Sequence, residues 1–318
     1  MSVVVKPPAF AGLVVGAMAT LLGLLARWLP ALDIVNNGLP FLLAGTVFLL
    51  ILAALARSGM LAVLATLLAI INCAHFAQSL QGGAQQAAPG TTRFLRVVTF
   101  NVWHQNDRID EVAKFLTETD ADLVVMQEMT VDNWSKLRGA LGQRYPYRLG
   151  DFGLIILSKY QFTEDGRVDR GGFQPWNSLM LRFAKIEVNG TAIEFAGVHL
   201  ARPFYPELQQ SDIAAVTDFV RHRTSPLIVA GDFNLTPWTE QLTAFTQATG
   251  LRRYNTFHFT WPLQLHGIDA LPFVATDNVF ASHHFAKIAV KAGPRLGSDH
   301  RAVIADISLA TPSPPSAN

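Results

Sequence analysis

Apolar and polar positions fall into two regimes along this 318-residue chain, and they meet near residue 92. From Met1 to Thr92 the charged side chains are Lys6, Arg27, Asp33 and Arg57. Between them lie three apolar runs: Phe10 to about Leu32, interrupted by Arg27; Gly38 to Ala56; and Leu61 to about Phe76. Each approaches the roughly 20 residues that a helix needs to cross a hydrocarbon core. A cleaved signal peptide would account for the first run but not for the second and third. Buried core helices would carry a polar face, and none is visible. The pattern predicts a membrane anchor of three transmembrane helices over residues 1–80. A Gly/Ala/Gln-rich linker, Gln81–Thr92, and a Pro/Ser-rich disordered tail, Thr311–Asn318, bracket a water-soluble domain over 93–310. Three spans put Lys6 and the Arg57 hairpin on one side of the membrane and Arg27 on the other with the large domain, which by the positive-inside rule faces that domain outward.

The second half is punctuated by short β-branched and apolar runs, at Val97–Val102, Leu123–Met126 and Leu154–Leu157, each the length of a buried strand. Leu179–Val188 and Thr191–His199 flank Asn189-Gly190, a hairpin signal because both turn positions must tolerate positive φ. Later strands are predicted at Leu227–Ala230, Asn278–Ala281, Ile288–Lys291 and Ala302–Ile307. Ile109, Val112, Ala113 and Leu116 recur at helical spacing, Ile213, Val216 and Val220 suggest a second helix, and Trp238–Thr249 a third. Hairpins mixed with helices point to an α/β domain of mixed sheets packed on each other and covered outside by helices.

Composition sharpens this division. Half of the residues are hydrophobic and 15% are charged, too apolar for an ordinary soluble chain, while the part from Arg93 onward carries 22 Lys/Arg against 23 Asp/Glu. A duplex-binding surface usually carries more positive charge than that. The single cysteine, Cys73, has no partner within the chain and says nothing about compartment.

Metal-competent polar residues recur at strand ends, where a rigid scaffold presents reactive groups. Asn101 closes the first strand and Glu128 follows the second; an amide oxygen and a carboxylate are hard ligands suited to Mg²⁺ or Mn²⁺. His199 ends Phe195-Ala196-Gly197-Val198-His199. In Gly231-Asp232-Phe233-Asn234, two polar side chains stand two residues apart and so point the same way along a strand. Asp277 precedes Asn278-Val279-Phe280, and Gly297-Ser298-Asp299-His300 precedes the last strand. An Asp that orients a His fixes its tautomer and stabilises its charged form. Each place alone also reads as a turn, a cap or a satisfied core histidine.

Taken together and in this order, the five places resemble the endonuclease/exonuclease/phosphatase superfamily, over roughly Arg93–Leu309. Gly153 with Ile155-Ile156-Leu157-Ser158 is similar to that family's central strand. The resemblance implies a four-layer α/β/β/α sandwich in which Glu128 binds the metal, with Asn101 beside it and Asp299 contributing directly or through water. Asp232 would orient or deprotonate the attacking water, Asn234 hold a phosphate oxygen, and His199 stabilise the phosphoryl group or assist the leaving oxygen. His300, oriented by Asp277, would neutralise developing charge. A narrower resemblance, through the anchor and Thr260-Trp261-Pro262, is to the membrane-anchored bacterial branch, which includes a teicoplanin-resistance membrane protein. That branch leads one to expect a histidine after the Asp, where this chain has Asn278, so Asp269 rivals Asp277 as the partner of His300.

Anchorage raises the local concentration of lipid substrates. Arg202, Tyr205 and Trp261 are the substrate-binding candidates, with Phe204 and Trp176 in similar loops; rim packing is the plainer reading of each aromatic. The expected substrate is a phosphate or pyrophosphate ester, with a lipid carrier as one candidate. The alternatives are a nuclease of the same fold and a catalytically inactive membrane scaffold. Membrane lipids are the expected partners, nucleic acid a lesser one, and no protein partner is implied.

Overall fold

The structure is a computed structural model that describes residues 2–150, 152–168, 180–265 and 267–310. Trp176, Leu179 and the expected tail Thr311–Asn318 lie outside the described residues. The chain divides into two compact units.

The first unit holds residues 1–81 with 202–210 and 235–244. Its helices are α1 (Ser2–Leu25), α2 (Leu39–Leu55) and α3 (Gly59–Ser79). Three apolar stretches here, Val5–Leu25, Pro30–Leu55 and Gly59–Ser79, are long enough to cross a membrane. Phe10, Met18, Phe48, Val63 and Ile70 are more than half exposed, an apolar outer surface that marks the unit as membrane-associated. Small residues set the packing: Gly12 lies against Leu49 and Gly16 against Leu68, while Thr20 and Asn72 hydrogen-bond across α1 and α3 at 3.0–3.1 Å. The first apolar run ends earlier than its composition suggests. Pro30 disfavours helical geometry at Leu29, and the chain turns through a 3₁₀ segment, Pro30–Gly38, in which Asp33 and Asn36 are buried.

The second unit holds residues 82–201, 211–234 and 245–318. In chain order its elements are β1 (Leu95–Asn101), α4 (Ile109–Thr119), β2 (Leu123–Met129), α5 (Val131–Leu141), β3 (Tyr147–Leu149), β4 (Gly153–Ser158), β5 (Phe162–Val168), β6 (Met180–Val188), β7 (Thr191–His199), α6 (Pro206–Arg221), β8 (Leu227–Asp232), α7 (Glu240–Thr249), β9 (Arg252–Arg253), the hairpin β10 (Gln264–Leu265) and β11 (Ile268–Asp269), β12 (Asp277–Ala281), β13 (Phe285–Ala292) and β14 (Val303–Leu309). The N-terminal ends of α6 and α7 fall in the first unit. Among the described residues two six-stranded mixed sheets form, ordered β13-β14-β1-β2-β4-β3 and β5-β6-β7-β8-β12-β9. The parallel pairs β1/β2 and β7/β8 are the ones whose connections contain α4 and α6, as parallel neighbours require. Asn189 and Gly190 both have positive φ and turn β6 into β7 as their spacing predicts.

The continuous apolar runs are explained by burial on both faces. Leu95, Val97, Leu123, Val125, Leu154 and Ile156 point toward the second sheet, where they meet Ile193, Phe195, Ile228, Ala230 and Val279. The alternate residues Val98, Phe100, Val124, Met126, Ile155 and Leu157 pack under α4 and α5. On the far side Phe219 of α6 stacks near Phe183, and Phe245 of α7 near Phe233 and Phe280. The result is the α/β/β/α sandwich. Gly197 is required where the sheets approach, since a Cβ there would run into Val125. Gln81–Thr92 is drawn into the fold: Gly83 bridges Arg253 on edge strand β9, and Gln86 bridges Lys287 on edge strand β13.

Candidate active site

Strand parity assembles the site. In β1 the residues facing the other sheet are Leu95, Val97, Thr99 and then Asn101. The same count carries Phe195 and Gly197 to His199 in β7, Ile228 and Ala230 to Asp232 in β8, and Val279 back to Asp277 in β12. All four polar residues therefore end a row of side chains between the sheets. Register completes the grouping, because Asp232 lies beside His199 on one side and Asp277 on the other.

Glu128 breaks this parity. Gln127 keeps the inward direction, its Nε2 donating to Thr99 Oγ1 at 3.0 Å, so a regular strand would turn Glu128 toward the helices. Instead the β2/β4 register shifts between Met126 and Met129, and Glu128 adopts φ +56°, a left-handed conformation that costs a non-glycine residue energy. The bulge turns the carboxylate back into the cluster. Asn101 Nδ2 donates to Glu128 Oε1 at 3.2 Å and to Asp232 Oδ2 at 3.1 Å, while Asn101 Oδ1 accepts from Trp103 N. His199 Nε2 stands 3.9 Å from both Glu128 Oε1 and Asp232 Oδ2. Asn234, also left-handed at φ +50°, donates its backbone N–H to Asp232 Oδ1 and its Nδ2 to the Leu200 carbonyl. Gly231 lets β8 approach β7 closely enough to aim Asp232, since a Cβ there would strike the Val198 carbonyl oxygen.

His300 Nδ1 lies 2.8 Å from Asp277 Oδ2. Asp269 instead is exposed and pairs with Arg295, so of the two rivals Asp277 is the carboxylate in contact with His300. The other face of the ring, Nε2, is 3.9 Å from Asp232 Oδ2. Burial by itself would lower the pKa of His300, but Asp277 and Asp232 overcome it and hold the ring protonated up to about 10. Burial pushes the Asp277 carboxyl up, with the His300 cation opposing. Ligand-capable atoms of Asp232, Asp277 and His300 lie within 4.8 Å of one another. The imidazole stands between the two carboxylates, 2.8 Å from Asp277 and 3.9 Å from Asp232.

Further donors suited to a divalent ion stand in the site. Glu128 and Asp299 offer hard oxygens. Asp299 Oδ2 accepts from Trp261 Nε1 at 3.2 Å, and its buried Oδ1 has no hydrogen-bond partner, the position expected of an atom reserved for an ion or its water. The residues present thus fit a hydrated Mg²⁺ or Mn²⁺. Trp261 lies against this group, its ring 6.4 Å from that of His300. Arg202 and Tyr205 stand in the first unit, in the turn after β7, where the Tyr205 N–H bonds the Arg202 carbonyl. Sequence reading passed over His104, whose Nδ1 lies 2.9 Å from Glu128 Oε2. Its only signal was a metal-competent side chain in the turn just after Asn101.

Residues 98–300, more than half of the chain, match the endonuclease/exonuclease/phosphatase family. No curated protein matches the chain in sequence. Similar solved structures include a mannosyl-6-phosphatase of Bacteroides thetaiotaomicron (17% identity, TM-score 0.56, covering 68% of this chain and 100% of that one). Truncated TDP2 of Caenorhabditis elegans is alike at 17% identity and TM-score 0.56, over 68% and 98% of the two chains. Beta toxin of Staphylococcus aureus with bound magnesium ions follows at 16% and 0.53, over 68% and 99%. At such identities the likeness concerns the fold. The matched segment, the two packed mixed sheets and the apolar helices before them lead to one conclusion: this chain belongs to the endonuclease/exonuclease/phosphatase family, as a divalent-metal-dependent hydrolase of phosphoester bonds joined to helices of membrane-spanning length.

Proposed function

We propose that this protein is a multi-pass membrane phosphoesterase that removes phosphate or pyrophosphate from a lipid carrier, with its catalytic domain, residues 93–310, on the outer face and residues 1–80 as anchor. The observation that carries the reading is the convergence of Asn101, Glu128, His199 and Asp232 on one point beside the Asp277–His300 pair, in a chain that also carries three apolar helices of membrane-spanning length. A phosphatase and a magnesium-bound protein among the structures of like fold support phosphoester cleavage with Mg²⁺, Mn²⁺ being the other candidate.

When bound by Glu128 and Asp299, with Asn101 beside them, the ion supplies charge that polarises the phosphoryl oxygen. The protein's own groups do the rest. Asp232, held by the amides of Asn101 and Asn234, accepts a proton from the attacking water. His300, kept protonated by Asp277, neutralises charge developing on the phosphoryl group, and His199 donates toward the leaving oxygen. Asn234 holds a phosphate oxygen, while Trp261 contacts the remainder of the substrate.

The test is phosphate release from a long-chain polyprenyl pyrophosphate by the full-length protein in mild detergent, with Mg²⁺ or Mn²⁺, with and without chelator, against Asp232→Asn. Metal-dependent release that the variant lacks is the expected result. Rapid DNA cleavage with no action on any lipid phosphate would replace the lipid reading with the nuclease one.

A further inference from the structure

Asp33 is an acidic side chain in the 3₁₀ segment between α1 and α2, only 1% exposed, and the chemistry described above makes no use of it. Its partners are specific. Oδ1 accepts from the Glu240 backbone N–H at 2.9 Å and Oδ2 from that of Gln241 at 2.9 Å, so both oxygens cap the first turn of α7 from 207 positions away in sequence. Asn36 Nδ2 bonds Asp33 Oδ1 at 2.8 Å and the Gly23 carbonyl at 3.0 Å, tying the cap to the end of α1. Next to it the Trp238 indole donates to the Asn37 carbonyl at 3.1 Å, and its ring lies 5.9 Å from Phe76 of α3. His75 Nε2 stands 3.4 Å from Glu240 Oε1. All of these residues belong to the first unit.

The clasped segment has a particular place in the chain. It continues without interruption from Asp232 and Asn234, and α7 goes on to Phe245, which packs on Phe233 between those two residues. We propose that Asp33 is a positioning residue for the reaction: by capping α7 it holds the segment that follows Asn234, and along the continuous chain the Asp232–Asn234 turn. The aligned peptide dipoles of α7 place positive charge at its N-terminus, which stabilises the buried carboxylate and gives the clasp its strength. The catalytic half of this inference rests on the assignment of Asp232; the structural half does not.

Hydrogen exchange and kinetics on the full-length protein in detergent test the two halves separately, using Asp33→Ala and the milder Trp238→Phe, which keeps an aromatic ring but removes the bond to Asn37. Exchange at the Glu240 and Gln241 amides is expected to rise in Asp33→Ala together with exchange at Phe233 and Asn234, whose N–H groups bond the Thr276 carbonyl and Asp232. The turnover number is expected to fall about tenfold, ~1.4 kcal/mol, with KM within about twofold. Trp238→Phe should show the same pairing of effects at smaller size. Faster exchange confined to residues 240–241, with Phe233 and Asn234 unchanged, would overturn the proposal, as would a kcat equal to wild type in the presence of the faster exchange. A wild-type protein inactive on every phosphoester would defeat the functional reading while leaving the exchange result to decide the coupling.

Discussion

Replacing Asp277 with Asn tests the Asp277–His300 pair most directly, because the change is nearly isosteric and removes one charge. Asp277 Oδ2 is 2.8 Å and Asp232 Oδ2 3.9 Å from the two nitrogens of His300. With an effective dielectric constant of about 20, these pairs contribute about 6 and about 4 kcal/mol. Burial of the ring costs several kcal/mol in the opposite direction. With both carboxylates the cation wins, in line with its pKa of about 10. Loss of about 6 kcal/mol, at 1.36 kcal/mol per pH unit, moves half-protonation to roughly pH 6. At pH 7.5 His300 would then be mostly neutral and unable to offset charge on the phosphoryl group. The expected outcome is a fall in kcat of about 10²–10³, with KM changed by less than about threefold, and partial recovery as pH drops toward 5.5. The assay is a pH–rate profile on the substrate that the wild type turns over best. A variant that keeps kcat within threefold at pH 7.5, or whose deficit is the same at every pH, refutes the argument that Asp277 acts by holding a charge on His300.

Three further outcomes follow from the geometry. Gly231→Ala sets a methyl against the Val198 carbonyl oxygen and should destabilise the hydrolase unit by roughly 2–4 kcal/mol, read as a lower thermal midpoint in detergent; an unchanged midpoint would mean that β7 and β8 can separate at no cost. His104→Ala removes a hydrogen bond that orients Glu128 and should weaken Mn²⁺ binding by about 10–100-fold in calorimetry, whereas unchanged affinity would make His104 a bystander. The pKa of His300 is raised by folding from 6.5 to about 10, so its contribution to stability is complete below about pH 6.5 and is lost as pH rises through about 10. The melting point of the wild type should therefore fall more between pH 7 and 10.5 than that of His300→Gln, and equal falls would contradict the raised pKa.

Helix and strand identity was legible wherever a local pattern had one cause. Ile109–Leu116 repeats at helical spacing and forms α4, Asn189-Gly190 admits little but a tight hairpin, and the uniformly apolar N-terminal runs become helices of membrane-spanning length. Elements with weak local signals were missed. Strand β5 is largely exposed and polar at the edge of its sheet, and α5, capped by Thr130, carries a thin apolar stripe of Trp134, Leu137 and Leu141. Parity along β1, β7 and β8 already set Asn101, His199 and Asp232 on one face of their strands. What lies across from each face depends on which strands pair and how the two sheets stack, and those are long-range choices. Tertiary structure therefore decided three matters: that Asp277 and not Asp269 reaches His300, that a bulge returns Glu128 to the cluster, and that Asp33 caps a helix 207 residues away. Each depends on contacts between segments far apart in sequence, whose energies no local periodicity encodes.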